Sequence, residues 1–276
     1  MLSSASVSSA GGAAGYFAKD DYYTGEHSSE ASQWGGKGAE AMGLSGEVSK
    51  EDFENLLNGK LPDGTLVNQN PNRRIGVDLT FSMPKSASIM AYVGKDERVL
   101  EAHMAAVKNT MGWVEKNFAE TRDYSRGKNG EAVKTGNLAY AMFQHDTSRK
   151  LDPQGHIHVV VAAITQNAKG VWQALRNDEL WKNNTTIGSA YHANMRAELG
   201  KLGYETEITG KHGQFEIKGV PSHIMKEFSQ RRTEILEKTK ELGTTSPQGQ
   251  DRVVVGTRDA KVNLEDRDAL RSDWSG

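Results

Sequence analysis

The sequence predicts a mixed α+β fold, and three observations carry that expectation. Ile75, Val77, Leu79 and Phe81 alternate with Gly76, Asp78 and Thr80, which is the period of a strand. Leu138–His145 and Ile157–Ile164 read as two further strands, the second nearly all apolar and therefore central. Leu100, Met104, Val107, Met111, Val114 and Phe118 step by 4, 3, 4, 3 and 4, the apolar stripe of a long helix from Asp96 to Phe118.

The remaining elements follow from local signals. Ser49 precedes Glu51, Asp52 and the apolar Phe53, Leu56 and Leu57, which predicts a short helix stopped around Gly59 and Pro62. Asp146–Gly155 holds Asp, Ser, Pro and Gly, as suits an excursion joining antiparallel neighbours. Ile187, Tyr191, Met195, Leu199 and Leu202 mark a helix over Thr186–Leu202, ended by Gly203. Glu205–Ile208 and Phe215–Ile217 flank Thr209–Gly213 as a hairpin. A further helix follows Pro221, with Ser222 as its N-cap and Ile224, Phe228 and Ile235 inside. Ser3–Ala14 is rich in Ser, Ala and Gly, small enough for close backbone packing. Gly243–Arg258 has no helical stripe and reads as a mobile segment.

Composition narrows the function. The chain has 276 residues, 36% of them hydrophobic, enough for one large domain with a packed core. Its mean hydropathy of -0.64 leaves much of it on surface, loops or a polar cleft. Net charge is -2, which argues against coating nucleic acid through a uniformly basic surface. That total hides unlike parts: residues 1–70 carry 4 basic and 10 acidic side chains, and residues 71–200 carry 17 and 13. With no cysteine, disulfides, thiolate metal sites and Cys nucleophiles are excluded, so any metal site must use His, Asp or Glu. No run approaches the ~18 apolar residues of a membrane span, and the start lacks the basic residues of a signal peptide. A soluble cytoplasmic protein without membrane insertion is the expectation.

The most informative stretch is His145 with His156-Ile157-His158. Residues two apart on a strand share a face, so His156 and His158 point together while Ile157 enters the core. If the two strands pair antiparallel, His145 ends beside the start of the next and three imidazoles converge. Three His without Cys suit a divalent ion with an open coordination position. Asp78, on the polar side of its strand, is a candidate base or a partner that orients a ligating His. Tyr16, Tyr22 and Tyr23 lie close together near the N-terminus. A phenol becomes a useful nucleophile beside a base or a metal, and it conserves the energy of a cut phosphodiester as an aryl ester.

These residues sit in a longer series of signatures. They are Ser9-Ala10-Gly11 leading to Tyr16; Asp20-Asp21-Tyr22-Tyr23; Gln33-Trp34-Gly35-Gly36-Lys37-Gly38-Ala39-Glu40; Leu61-Pro62-Asp63-Gly64; and Asp78-Leu79-Thr80-Phe81-Ser82-Met83-Pro84-Lys85-Ser86. Thr135-Gly136-Asn137-Leu138, Phe143–Arg149, His156-Ile157-His158, Leu202–Thr206 and Gly210-Lys211-His212-Gly213 follow in order. The chain resembles the N-terminal relaxase domain of conjugative plasmid relaxases of the MobF (F-plasmid-like) family, in the HUH endonuclease class, and the match weakens after about Ser222.

That resemblance implies an α+β (α/β sandwich) fold: a central, mainly antiparallel sheet flanked by helices. Residues 1–220 would form a catalytic palm and 221–276 a helical, partly mobile clamp over DNA. A helicase domain would follow in the full-length protein. The resemblance also makes His145, His156 and His158 the metal ligands and Asp78 an activator or a support for the ligands. Tyr16 falls at the usual initiating nucleophile, and Tyr22 and Tyr23 at the second pair. The first pair departs from the family, reading Tyr16-Phe17 instead of Tyr-Tyr. The implied activity is strand-specific nicking and rejoining of single-stranded DNA at a plasmid origin of transfer, through a 5′-phosphotyrosyl intermediate. Mg²⁺ or Mn²⁺ is the expected ion, with Zn²⁺ permitted by three neutral imidazoles. Arg73, Arg74 and Lys85, with Arg149 and Lys150, are expected DNA contacts, and Trp172 and Trp181 are candidate stacking surfaces. Expected partners are the origin hairpin and its single strand, accessory relaxosome proteins, and the coupling protein of a type IV secretion system. The protein would act as a monomer in the bacterial cytoplasm, with possible passage to the recipient cell. Two rivals share parts of the pattern: a three-His metal hydrolase using water, and a non-catalytic origin-binding module.

Overall fold

The computed structural model describes residues 1–18, 32–125, 127–147, 152–230, 233, 237 and 272–274. Its centre is a five-stranded antiparallel sheet in the order β1-β3-β7-β6-β2, formed by Leu2–Ser6, Gly76–Ser82, Pro153–Ala162, Tyr140–Thr147 and Ser32–Gly35. The apolar run predicted to be central is β7, the middle strand. Its bounds shift, starting at Pro153 and ending at Ala162, while Ile164 opens β8 (Ile164–Gln166), which pairs with β9 (Trp172–Ala174). A second ribbon joins β4 (Glu120–Asp123) to β5 (Glu131–Lys134). The predicted hairpin is present as β10 (Thr206–Ile208) and β11 (Phe215–Ile217).

Strand alternation gives the sheet two covered faces. Val77, Leu79, Phe81, Met142, Ile157, Val159 and Val161 point to one face and join a core with two long helices, α5 (Arg98–Phe118) and α7 (Asn184–Lys201). On α7, Ile187, Tyr191, Met195 and Leu199 are buried at helical spacing, as predicted. The stripe on α5 is rotated. Val107, Met111 and Val114 are buried, but Leu100, Met104 and Phe118 are only partly covered, while Val99, Ala102, His103 and Ala106 face inward. Ala141, Phe143, Val160 and Ala162 point to the other face, against α1 (Ala10–Ala18) and α3 (Lys50–Leu57). Ser49 caps α3 as expected, its hydroxyl accepting from Asp52 N at 3.1 Å, and Gly59 turns the chain out at φ +78°.

Some expectations need correction. The end of the small-residue stretch is helical: α1 buries Ala10, Ala14 and Phe17 at i, i+4 and i+7, so its packing face is two alanines and one aromatic ring. The helix after Pro221 is α8 (Ser222–Glu227), but Pro221 is its N-cap and Ser222 makes no capping bond. Ile224 on it and Phe228 at its C-cap are half-buried, and Ile235 lies outside the described residues, as does Gly243–Arg258. Three further helices carried no clear sequence signal: α2 (Lys37–Ala41), α4 (Lys85–Tyr92) and α6 (Asp178–Lys182).

One buried carboxylate ties the layers together. Glu115 on α5 is 4% exposed, and its Oε2 accepts from Lys37 N at 2.7 Å and Leu138 N at 2.8 Å. It thus satisfies the start of α2, which has no side-chain cap, and the lead into β6. Burial raises its pKa above the ordinary 4.5, opposed by those two backbone donors. Its contribution is therefore fully present below the unfolded value and declines as pH rises through the folded one. Glu115→Ala leaves both N–H groups unpaired and should cost about 2–4 kcal/mol, with Glu115→Gln costing less than half of that. Urea unfolding at pH 4.5 and pH 7.5 tests both points. The gap between wild type and Glu115→Gln should narrow at the higher pH.

Candidate functional site

The register of β7 with its two neighbours assembles the site. Thr80, His158 and Phe143 lie opposite one another across β3, β7 and β6. Ser82, His156 and His145 form the next row along the strands. All point to the face covered by α1. The three histidines sought from the sequence do meet, but in series. His145 and His156 have ring centroids 4.7 Å apart, and His156 and His158 5.2 Å. Among the described residues, no group of three or more donors stands as a ready-made cage.

Hydrogen bonding assigns the protons. His156 Nδ1 lies 3.0 Å from Gln154 O, and a carbonyl only accepts, so Nδ1 carries hydrogen and Nε2 keeps its lone pair. That Nε2 is 3.2 Å from His145 Nδ1, which donates to it in the neutral pair. His158 Nδ1 donates to Asp78 Oδ2 at 2.8 Å, leaving Nε2 as the open nitrogen. Thr80 Oγ1 steadies the same pair, 3.1 Å from Asp78 Oδ1 and 3.1 Å from His158 Nδ1. Asp78 thus makes the contact an orienting partner of His158 would make, one of the two roles the sequence leaves open.

The donor set fits a divalent ion. Two nitrogens each about 2.1 Å from one ion stand about 3.0–3.5 Å apart, the spacing already held by His145 Nδ1 and His156 Nε2. To offer Nδ1 to an ion there, His145 would carry its hydrogen on Nε2 instead. Carbonyl and carboxylate partners on the far nitrogens of His156 and His158 are what ligating imidazoles need for orientation.

Helix α1 brings Tyr16 to this face. Its ring centroid is 6.1 Å from that of His158, and the residue is 37% exposed. The neighbouring Phe17 is buried and lies flat on Phe143, with centroids 3.9 Å apart and planes 8° apart. It also meets Phe53 and His158 edge-on. The Phe at this position is therefore a packing residue that anchors the helix presenting Tyr16. Tyr22, Tyr23, Arg149 and Lys150 lie outside the described residues.

The basic residues divide. Arg73 and Arg74 line a cleft of about 540 Å³ with Trp181, Lys182 and the segment Ser6–Ser8. Arg73 donates to Leu57 O, and Arg74 to Asn177 and Asp178, the last at 3.0 Å. Lys85 is half-buried and donates to Pro153 O at 3.0 Å, so its ammonium is engaged with the backbone of β7. Burial lowers its pKa, opposed by Asp152 and Glu216. Trp172 is partly buried, whereas Trp181 is 38% exposed. Of the other histidines, His192 Nδ1 donates to His212 O. His103 is fully buried against Tyr191 Oη at 2.7 Å, with Nε2 unpartnered, and burial takes its pKa down to about 3.

The chain is similar in sequence and fold to known relaxases. The family model described as TrwC relaxase matches residues 10–276. The chain is 41% identical over 288 residues to the multifunctional conjugation protein TraI of Escherichia coli, and equally so to that of strain K12. Each match covers 99% of this chain, which spans only 16% of those relatives' length. Among solved structures, the conjugative relaxase TrwC in complex with OriT DNA, metal-free, superposes with a TM-score of 0.88 at 37% identity. The copper-bound complex gives 0.90 at 36%. TrwC with a 27-mer DNA comprising the recognition hairpin and the cleavage site gives 0.88 at 36%. All three cover 100% of this chain and 96% of the other. The chain belongs to the TrwC relaxase family.

Proposed function

We propose that this chain is a DNA relaxase of the MobF, HUH-class type. It nicks and rejoins one strand at a plasmid origin of transfer by transesterification onto Tyr16. The observation that carries the reading is the phenol of Tyr16 beside His158, whose far nitrogen is held by Asp78. A water-using hydrolase has no role for a tyrosine at that place, and a non-catalytic module has none for the Asp78–His158–Thr80 arrangement.

Tyr16 Oη attacks phosphorus, the bond from phosphorus to the 3′ oxygen breaks, and a 5′-phosphotyrosyl ester and a 3′-hydroxyl result. The proton lost by the phenol is balanced by the one gained by the 3′ oxygen, so the reaction is reversible and the strand can be resealed. His145 Nδ1, His156 Nε2 and His158 Nε2 would hold the divalent ion, Mg²⁺ or Mn²⁺. When bound it neutralises charge developing on the non-bridging oxygens of the scissile phosphate. Asp78 keeps the proton of His158 on Nδ1, so that Nε2 stays available. Phe17, clamped on Phe143, fixes the turn of helix from which Tyr16 projects.

Arg73, Arg74 and Lys182 with Trp181 form the proposed track for single-stranded DNA, phosphates on the cations and a base on the indole. Tyr22 and Tyr23 are proposed for later strand transfer, and Arg149 and Lys150 for backbone contacts beside the histidines. By the same reading the whole chain forms one relaxase domain, palm and clamp. It works in the bacterial cytoplasm with relaxosome proteins and a coupling protein. The chain holds no helix, among the described residues, long and apolar enough to cross a membrane.

Labelled single-stranded origin DNA with Mg²⁺ tests the chemistry. Wild type should give a protein–DNA band that survives SDS, and Tyr16→Phe should lose it. An adduct retained in Tyr16→Phe moves the nucleophile to Tyr22 or Tyr23, and turnover without any adduct ends the relaxase reading. Asp78→Asn separates the two roles of the carboxylate. Acting through His158, it should weaken Mn²⁺ binding about 10–100-fold along with cleavage. A rate loss at unchanged Mn²⁺ affinity would make Asp78 the base for Tyr16 instead.

A further inference from the structure

β7 loses its regular ladder just ahead of His156. Its pairing with β3 ends at Ser82 opposite His156. Its pairing with β6 breaks between His145–His156 and Thr147–Pro153, so Gln154 and Gly155 face the single residue Asp146. This is a bulge with the extra residue on β7, and a bulge re-aims the side chain that follows it. The direction of His156 therefore depends on what holds residues 153–155.

Three hydrogen bonds that hold them come from one short stretch, Met83–Ser88, at the start of α4. Met83 N donates to Gly155 O at 2.9 Å, and Gly155 N donates to Ser88 Oγ at 2.9 Å. Lys85 Nζ donates to Pro153 O at 3.0 Å. Ser88 is fully buried, so its hydroxyl is matched to a protein partner, not to bulk water. The approach is close: a Cβ on Gly155 would lie 2.0 Å from Met83 Cε, so any larger residue there would have to push the end of the Met83 side chain aside. With Pro153 and Gly155 pinned, Gln154 O meets His156 Nδ1, and Nε2 is left facing His145.

We propose that Ser88, assisted by Lys85, is a positioning residue for His156. Its hydroxyl fixes the β7 bulge, the bulge aims the Gln154 carbonyl, and the carbonyl sets which imidazole nitrogen is offered to the ion. The proposal rests on the reading of His156 as a metal ligand. It gives a hydroxyl outside the histidine cluster a share in metal affinity. Lys85, expected from the sequence to touch DNA, works here on the protein's own backbone.

The test uses the full chain. Mn²⁺ binding is measured by titration calorimetry for wild type, Ser88→Ala, Ser88→Thr and Lys85→Met, with thermal unfolding of each in EDTA. Ser88→Ala should weaken Mn²⁺ about 10–100-fold, Lys85→Met by less, and Ser88→Thr should restore most of the affinity by keeping the hydroxyl. In metal-free protein, the ¹⁵N signals of the His156 ring should show a single Nδ1–H tautomer in wild type and a mixture in Ser88→Ala. A lower melting temperature in Ser88→Ala with Mn²⁺ affinity within threefold of wild type and an unchanged tautomer would make Ser88 purely structural and overturn the proposal. Failure of the metal reading looks different, with no Mn²⁺ uptake by wild type. The tautomer measurement then still decides whether Ser88 positions the ring.

Discussion

The register of β7 against β3 and β6 is the constraint on which the rest of the structure depends. Side chains on a strand alternate between faces, so a slip of one residue would turn His156 and His158 into the apolar core and bring Ile157 to the site. Two features prevent it. Ile157, Val159 and Val161 are buried on one face, and Val160 and Ala162 on the other, so beyond His158 the middle strand has no solvated side to tolerate an error. Both neighbours are antiparallel and paired through consecutive residues up to His156. The same pairing that fills the core thus sets Thr80, His158 and Phe143 in one row and Ser82, His156 and His145 in the next.

The second requirement is to bring a phenol to that face, and an aromatic stack does so. Phe17 on α1, Phe53 on α3 and Phe143 on β6 form one cluster, with Phe143 between Phe17 and the sheet. Stacked and edge-on aromatic pairs add about 0.5–1.5 kcal/mol each beyond their burial, and their geometry is directional. A helix of alanines and glycines has little else with which to fix its rotation. Placing Phe17 in the stack therefore determines where the adjacent Tyr16 points, and a hydroxyl on residue 17 would have to find a polar partner inside that cluster. The departure from a Tyr-Tyr pair is understandable as packing.

How legible each part was in the sequence follows from the strength of its periodicity. β7 and α7 have buried residues at strict strand and helix spacing, and both were readable. The stripe on α5 was readable as a helix but misplaced in rotation, because Ala102, Ala106 and His103 take the buried positions and neither small nor polar residues stand out in a hydrophobic pattern. α1 gives no signal for the same reason, since Ala10 and Ala14 pack without an apolar signature. The histidine cluster was readable because strand parity and hairpin spacing are local rules. Its supports were not. Ser88 and Lys85 reach β7 from 67 and 68 residues away, and Glu115 reaches Leu138 from 23. Such contacts exist only once the layers have packed. The bulge at Gln154–Gly155 left one trace, a glycine placed directly before His156.

Charge shows how the two levels combine. A chain of net charge -2 gains little from counterion release over its whole surface, so indiscriminate attraction to nucleic acid is weak. The residues that bear on the site belong largely to the 71–200 region, where basic side chains outnumber acidic ones. Even there, Lys85 is committed to Pro153 O, and Arg74 is shared with Asp178. The cations thus serve first as struts that hold the cleft and the histidine-bearing strand in shape. Only the part of their field left over acts outward. Arranged this way, the cleft depends for any selectivity on the fit of a preorganised groove more than on the sum of its charge.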